Sequence, residues 1–155
     1  MINWKFNPED YNPDRFELVP PGDYRVRIET AEEQVSKSGY QMIKMKLKVS
    51  GFNGNIWHYM VFMNDNPDHI KMTNDNLGHI FDSFGLQAGD LNLEHWKGKV
   101  GAVHVKNEPD NKGNMQARVG YFIKREKQES LALWQEHRKG QVNPEMVNPD
   151  EEVPF

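Results

Sequence analysis

The chain has no cysteine among its 155 residues, which excludes a disulfide scaffold and thiolate-bound zinc and fits a reducing, cytosolic compartment. Long hydrophobic runs are missing as well. The longest purely apolar stretch, residues 59–63, is far short of the roughly 20 residues a membrane-spanning helix requires. Only 37% of the residues are hydrophobic and mean hydropathy is −0.84, so a helical membrane protein is excluded. Met1-Ile2-Asn3-Trp4-Lys5 lacks a basic segment followed by an apolar stretch, and no secretory signal is expected. Basic residues are absent from one region only. Residues 1–139 hold all 19 Lys and Arg and 19 of the 23 Asp and Glu, whereas residues 140–155 hold the remaining four acids and no base. The net charge of −4 therefore belongs to a tail, and a neutral body leaves a nucleic-acid partner open.

Enzyme motifs are also lacking. Gly98-Lys99 is followed by Val100, and Leu93 stands where a phosphate-binding loop needs its first glycine. There is no G-x-S-x-G elbow. The histidines, at 58, 69, 79, 95, 104 and 137, never fall three to five apart, so no local H-x-x-x-H pair exists. His79 with Asp82, or Asp90 with Glu94 and His95, could be drawn together into a metal-dependent nuclease site, but acids scattered in this way usually form solvated surface. The expectation is a protein without catalytic residues, metal or cofactor.

What is present is enough for one hydrophobic core with appendages. An irregular lead precedes Pro20-Pro21-Gly22, with Trp4, Phe6, Tyr11 and Phe16 spaced to pin it across a core. Tyr24, Val26 and Ile28 then alternate with Arg25, Arg27 and Glu29, predicting a half-buried strand. Ser36-Lys37-Ser38-Gly39 breaks the pattern. A second strand carries Ile43, Met45, Leu47 and Val49 on one face and Lys44, Lys46 and Lys48 on the other. Gly51-Phe52-Asn53-Gly54 reads as a hairpin turn, and residues 56–63 as a third strand. Asn66 as N-cap, Pro67 at the first helical position and Gly85 beyond Phe84 bracket a helix. Residues 99–106 are predicted as a fourth strand, weakened by Gly101, and residues 116–124 as a fifth. In the fifth, Val119, Tyr121 and Ile123 face inward and Arg118, Phe122 and Lys124 outward. A short helix is expected over residues 129–139 and a disordered acidic tail over residues 140–155.

The order of three strands, a helix and two strands is that of the OB-fold, a five-stranded barrel whose second and third strands commonly bind oligonucleotides. The predicted domain spans residues 1–128. Lysine at three alternate positions of one strand face repels itself unless an anion lies across it, although on its own such a face reads more readily as a solvated, aggregation-resistant edge. A four-residue turn would pair Ser50 with Asn55, Lys48 with Trp57 and Lys46 with Tyr59. Aromatics then interleave with lysines, a composition suited to single-stranded nucleic acid, whose bases stack on rings while cations follow the phosphates. The same register turns His58 toward the core; an odd-length loop would instead bury Trp57 and Tyr59. Arg25, Arg27, Arg118 and Lys124 add charge. Phe122 could stack on a base, cover the barrel seam or pack under the C-terminal helix. Lys37 and Lys112 occupy the loops with which an OB-fold clamps its ligand.

The terminus, Asp150-Glu151-Glu152-Val153-Pro154-Phe155, sets acids beside an aromatic that ends the sequence, one apolar anchor with charge for a basic-rimmed pocket. It resembles the tip of bacterial single-stranded DNA-binding proteins, which end in acids, a hydrophobic residue, Pro and Phe and recruit replication and repair enzymes. Asp150, Pro154 and Phe155 match directly, and Glu151, Glu152 and Val153 are conservative departures. Phe6-Asn7-Pro8, Pro21-Gly22-Asp23-Tyr24, Ser36-Lys37-Ser38-Gly39, Met42-Ile43-Lys44 and Trp96-Lys97-Gly98-Lys99 resemble a phage and prophage family long catalogued as a domain of unknown function. Some of its members are considered single-stranded DNA-binding proteins. The resemblance implies a non-enzymatic protein that coats single-stranded DNA in the host cytoplasm and recruits replication or recombination proteins through its tip. A phage nuclease acting on junctions or flaps, and a protein-only adaptor, are the alternatives. Assembly into a homo-oligomer is left open by the sequence.

Overall fold

A computed structural model of the chain describes residues 1–11 and 17–136. The five strands are β1 (Gly22–Val35), β2 (Gln41–Val49), β3 (Asn55–Val61), β4 (Val100–Pro109) and β5 (Met115–Phe122), and the helix α1 (Pro67–Phe84) lies between β3 and β4. They form a single open antiparallel sheet in the order β3-β2-β1-β4-β5. The sheet curls until its edge strands β3 and β5 touch, with the His58 ring edge-on to Phe122 at 5.0 Å. Inside the curl lie Val26, Ile28, Ile43, Met45, Leu47, Ile56, Val103 and Val105, all buried. Burying these alternating apolar positions is what fixes the strand registers.

The helix begins and ends where its capping residues predict. The Asn66 side chain accepts from His69 N at 2.8 Å, Pro67 occupies the first turn, and Gly85 closes the helix at φ 65°, the left-handed region that favours glycine. Leu77, Ile80, Phe81 and Phe84 form its buried face. Gly101 admits that face to the sheet, since a Cβ there would stand 2.7 Å from the Phe84 ring. Gln128, 3% exposed, ties the chain after β5 to the end of α1 by donating to the carbonyls of Ser83 at 3.0 Å and Ile123 at 2.9 Å.

Four expectations are corrected. Trp4, Phe6 and Tyr11 do not pin the lead across the core but are exposed, at 82%, 66% and 62%; Phe16 lies outside the described residues. Val19, 1% exposed, is buried there instead. The β2–β3 pairing is displaced by two residues from the one a Gly51–Gly54 turn sets: Lys48 pairs with Asn55, Lys46 with Trp57 and Lys44 with Tyr59. The loop is held by residues before β1 and after β5: Glu17 N donates to Asn53 O and Gly51 N to Gln135 O. An even shift keeps every side chain on its expected face.

The third correction is in β5. Val105 pairs with Val119 and His104 with Tyr121, leaving Gly120 as an extra residue, a bulge that inverts the alternation beyond it. Phe122 therefore turns inward, 5.9 Å from the Phe84 ring, and Tyr121 turns outward, 57% exposed. The fourth concerns the helix expected over residues 129–139. No helix occupies residues 129–136, and residues 137–139 lie outside the described residues. Backbone groups that a helix would use internally bind β1 and the β2–β3 loop instead: the Ala132 carbonyl accepts from Arg25 Nε at 2.8 Å, and Gln135 N donates to Ser50 Oγ at 2.8 Å.

Candidate nucleic-acid interface

The outer face of β2 and β3 carries Lys44, Lys46, Trp57 and Tyr59, because the inner positions of both strands are taken by the core. Trp57 is 41% and Tyr59 44% exposed. Lys44 Nζ lies 4.6 Å and Lys46 Nζ 5.8 Å from the centroid of the Trp57 ring. Ring and ammonium groups thus share one patch. A base stacking on Trp57 must displace Lys44 from the ring, at about 0.5–1 kcal/mol for an exposed cation–π contact. Stacking returns about 1–3 kcal/mol, and the displaced ammonium can follow the adjoining phosphate.

His58, between the two exposed rings in sequence, faces inward as its neighbours require. Burial, and secondarily the positive charge of Arg118, lower its pKa to about 4, so the imidazole is neutral at physiological pH. Arg118 lies 3.7 Å from Glu108 Oε1, and its buried Nε has no hydrogen-bond partner.

The other basic residues expected at the interface fall into two groups. Arg25, Arg27 and Lys48 are engaged by a strap, residues 132–136, laid along β1 and β2. Arg25 Nη2 also donates to the Gln128 carbonyl at 2.9 Å. Arg27 is held by Glu29 at 2.6 Å and by Glu136, with the Trp134 ring 4.8 Å from its guanidinium carbon. Lys48 Nζ is 3.5 Å from Glu136 Oε2. Burial of the Glu136 carboxyl acts to raise its pKa, but the hydrogen bonds from Arg27 and Trp134 and the nearby charges together bring it below the ordinary value. The second group is exposed: Lys37 and Lys112 on the β1–β2 and β4–β5 turns, and Lys124 just beyond β5. The antiparallel register sets those two turns at opposite ends of β1 rather than side by side.

The acids that could form a nuclease site are dispersed. His79 pairs with Asp75 at 3.4 Å, and Asp82 accepts instead from Arg125 N at 3.3 Å. His95 holds Asp90 at 2.7 Å while Glu94 is paired with Lys97. Among the described residues no three His, Asp or Glu side chains gather as a metal site. Asp150, Glu151, Glu152, Val153, Pro154 and Phe155 lie outside the described residues.

Sequence reasoning missed Tyr121 and its partner His104, whose rings stack 4.9 Å apart and 11° from parallel. It also missed Trp134 and Glu136. The only local sign was Gly120, a glycine inside a strand pattern, which is a common mark of a bulge. Among the described residues no helix is long and apolar enough to cross a membrane. No curated protein matches the chain. Residues 5–132 match the family described as protein of unknown function (DUF669), and the chain belongs to that family.

Proposed function

We propose that this protein is a non-enzymatic, sequence-independent single-stranded DNA-binding protein. The observation that carries the reading is the exposed β2–β3 patch, in which Lys46 pairs with Trp57 and Lys44 with Tyr59 across the strands. Rings accept any base on their π-faces and lysines accept any phosphate, so such a patch binds single strands without reading sequence. The strand order and the contact between β3 and β5 support an OB-type barrel, whose second and third strands are the usual ligand face. In this reading the protein coats single strands during phage replication or recombination in the host cytoplasm. Its acidic tip, with Phe155 as the anchor, recruits partner proteins.

Titration of labelled oligo-dT and of a duplex of equal length, followed by fluorescence anisotropy over a range of salt, tests this. Single strands should bind more tightly than duplex, and affinity should fall as salt rises. Equal affinity for both forms at every salt concentration refutes it. Cleavage of the oligonucleotide on adding Mg²⁺ would favour a nuclease, and no binding at all an adaptor. A chain ending at Val153 should capture fewer replication proteins while retaining its affinity for oligo-dT.

A further inference from the structure

Where β3 and β5 meet, the surface opens into a cleft of about 780 Å³ bounded by both strands, by α1 and by the chain after β5. Tyr59 lines its β3 side and Tyr121 its β5 side. Tyr59 is also the last aromatic of the β2–β3 patch, so the two surfaces are continuous. Tyr121 is well placed as a stacking surface. One face of its ring rests on His104, which is itself held by Asp23 at 2.7 Å, yet the side chain is 57% exposed. The ring is thus braced from behind and open in front.

The cleft is lined by both acids and lysines. Each acid is tied to a histidine, Asp23 to His104 at 2.7 Å and Asp75 to His79 at 3.4 Å. Lys124 and Lys127 also line it, are exposed, and belong to no ion pair among the described residues. The lining includes the Phe122 ring, packed edge-on to His58. A phenyl ring in the lining, a braced tyrosine ring and two lysines outside any described ion pair match one chemical class, a nucleobase with the phosphates on either side of it.

We propose that the cleft between β3 and β5 is a second nucleotide subsite, in which a base of the bound strand stacks on Tyr121 while Lys124 and Lys127 hold the flanking phosphates. It rests on the single-strand reading above and extends it: the strand passes from Trp57 to Tyr59 and over the sheet edge into the cleft. The path therefore leaves the β2–β3 face rather than running along it.

The test uses the full chain. Tyr121→Ala should weaken binding of a long oligo-dT by about 5- to 150-fold, the range expected for one lost stack, and Tyr121→Phe, which keeps the ring, should recover most of that loss. Lys124→Glu with Lys127→Glu should weaken binding and flatten its salt dependence. Irradiating a 5-iodouridine-substituted oligonucleotide bound to the wild-type protein should crosslink the peptide containing Tyr121. That measurement and the lysine pair decide the matter even if Tyr121→Ala lowers the thermal midpoint. If Trp57→Ala weakens binding while the cleft variants bind normally and Tyr121 is not crosslinked, the subsite is overturned and the patch stands. If wild-type protein binds no oligo-dT, both fall.

Discussion

Mild acid should destabilise this fold through His58, before its hydrogen-bonded carboxylates protonate. The ring is packed edge-on to Phe122 at 5.0 Å on the inner side of β3. Burial first, and Arg118 second, lower its pKa from 6.5 to about 4. An unfolded chain takes up this proton near the ordinary value, and the folded chain resists until about 4. Throughout that window the unfolded state binds more protons, so stability falls as pH falls and the loss is complete below the folded value. The gap amounts to about 3 kcal/mol in full, of which about 2 kcal/mol is gone by pH 5. Urea unfolding of the wild-type protein and of His58→Phe at pH 7 and pH 5 measures it. The wild type should lose about 2 kcal/mol more than the variant, and the His58 ring should titrate near 4 by NMR. The low-lying carboxyls do not confuse the comparison. Asp65 is held down mainly by the Tyr40 hydroxyl and Asp90 mainly by His95, so both protonate at lower pH and are common to the two proteins. Equal pH dependence in wild type and variant, or a ring midpoint at 6 or above, would refute the reasoning.

Three further outcomes follow from the packing and the charge distribution. Gly101→Ala sets a methyl 2.7 Å from the Phe84 ring and should cost about 1–3 kcal/mol by overpacking; an unchanged denaturation midpoint would show that α1 can move off the sheet. Trp57→Ala should weaken oligo-dT binding by about 1–3 kcal/mol with little change in thermal midpoint, because the side chain is 41% exposed; a large thermal loss with unaltered affinity would mean that the ring is structural. Lys44→Ala with Lys46→Ala should reduce affinity and salt dependence more than Lys48→Ala does, since Lys48 already faces Glu136. Equal effects from Lys44, Lys46 and Lys48, measured over a salt series, would show that the strap leaves the face before DNA binds.

Strand identities and helix ends were legible because they follow from local rules. Ile43, Met45, Leu47 and Val49 alternate strictly, and Asn66, Pro67 and Gly85 mark α1 by their capping chemistry. The outward face of Trp57 and Tyr59 was legible for a weaker reason: only the parity of the hairpin loop matters for facing, so a two-residue error in register left it intact. Tyr121 and Phe122 exchanged places because the alternation crosses a bulge that only the pairing with β4 defines. Residues 129–136 misled for a similar reason. Their sequence says nothing of Arg25, which sits more than a hundred positions earlier and captures the Ala132 carbonyl. The β3–β5 cleft was invisible in principle, since its two walls meet only when the sheet curls.

The extra residue at position 120 makes this part of the chain tolerant of a one-residue deletion. Removing Gly120 would let β5 pair regularly with β4, with Val119 and Phe122 still inward and Tyr121 still outward. With Gly120 still bulged, one residue inserted before Tyr121 would turn Phe122 to solvent and drive the Tyr121 hydroxyl into the core. A shortened chain would not be equivalent to this one, however, because a bulge bends and twists the strand that contains it. Straightened, β5 would approach β3 along a different line. A homologue one residue shorter here is therefore expected to keep the hydrophobic interior and the β2–β3 patch while altering the seam between the edge strands, so that insertions and deletions at this point, more than substitutions, set the shape of the cleft.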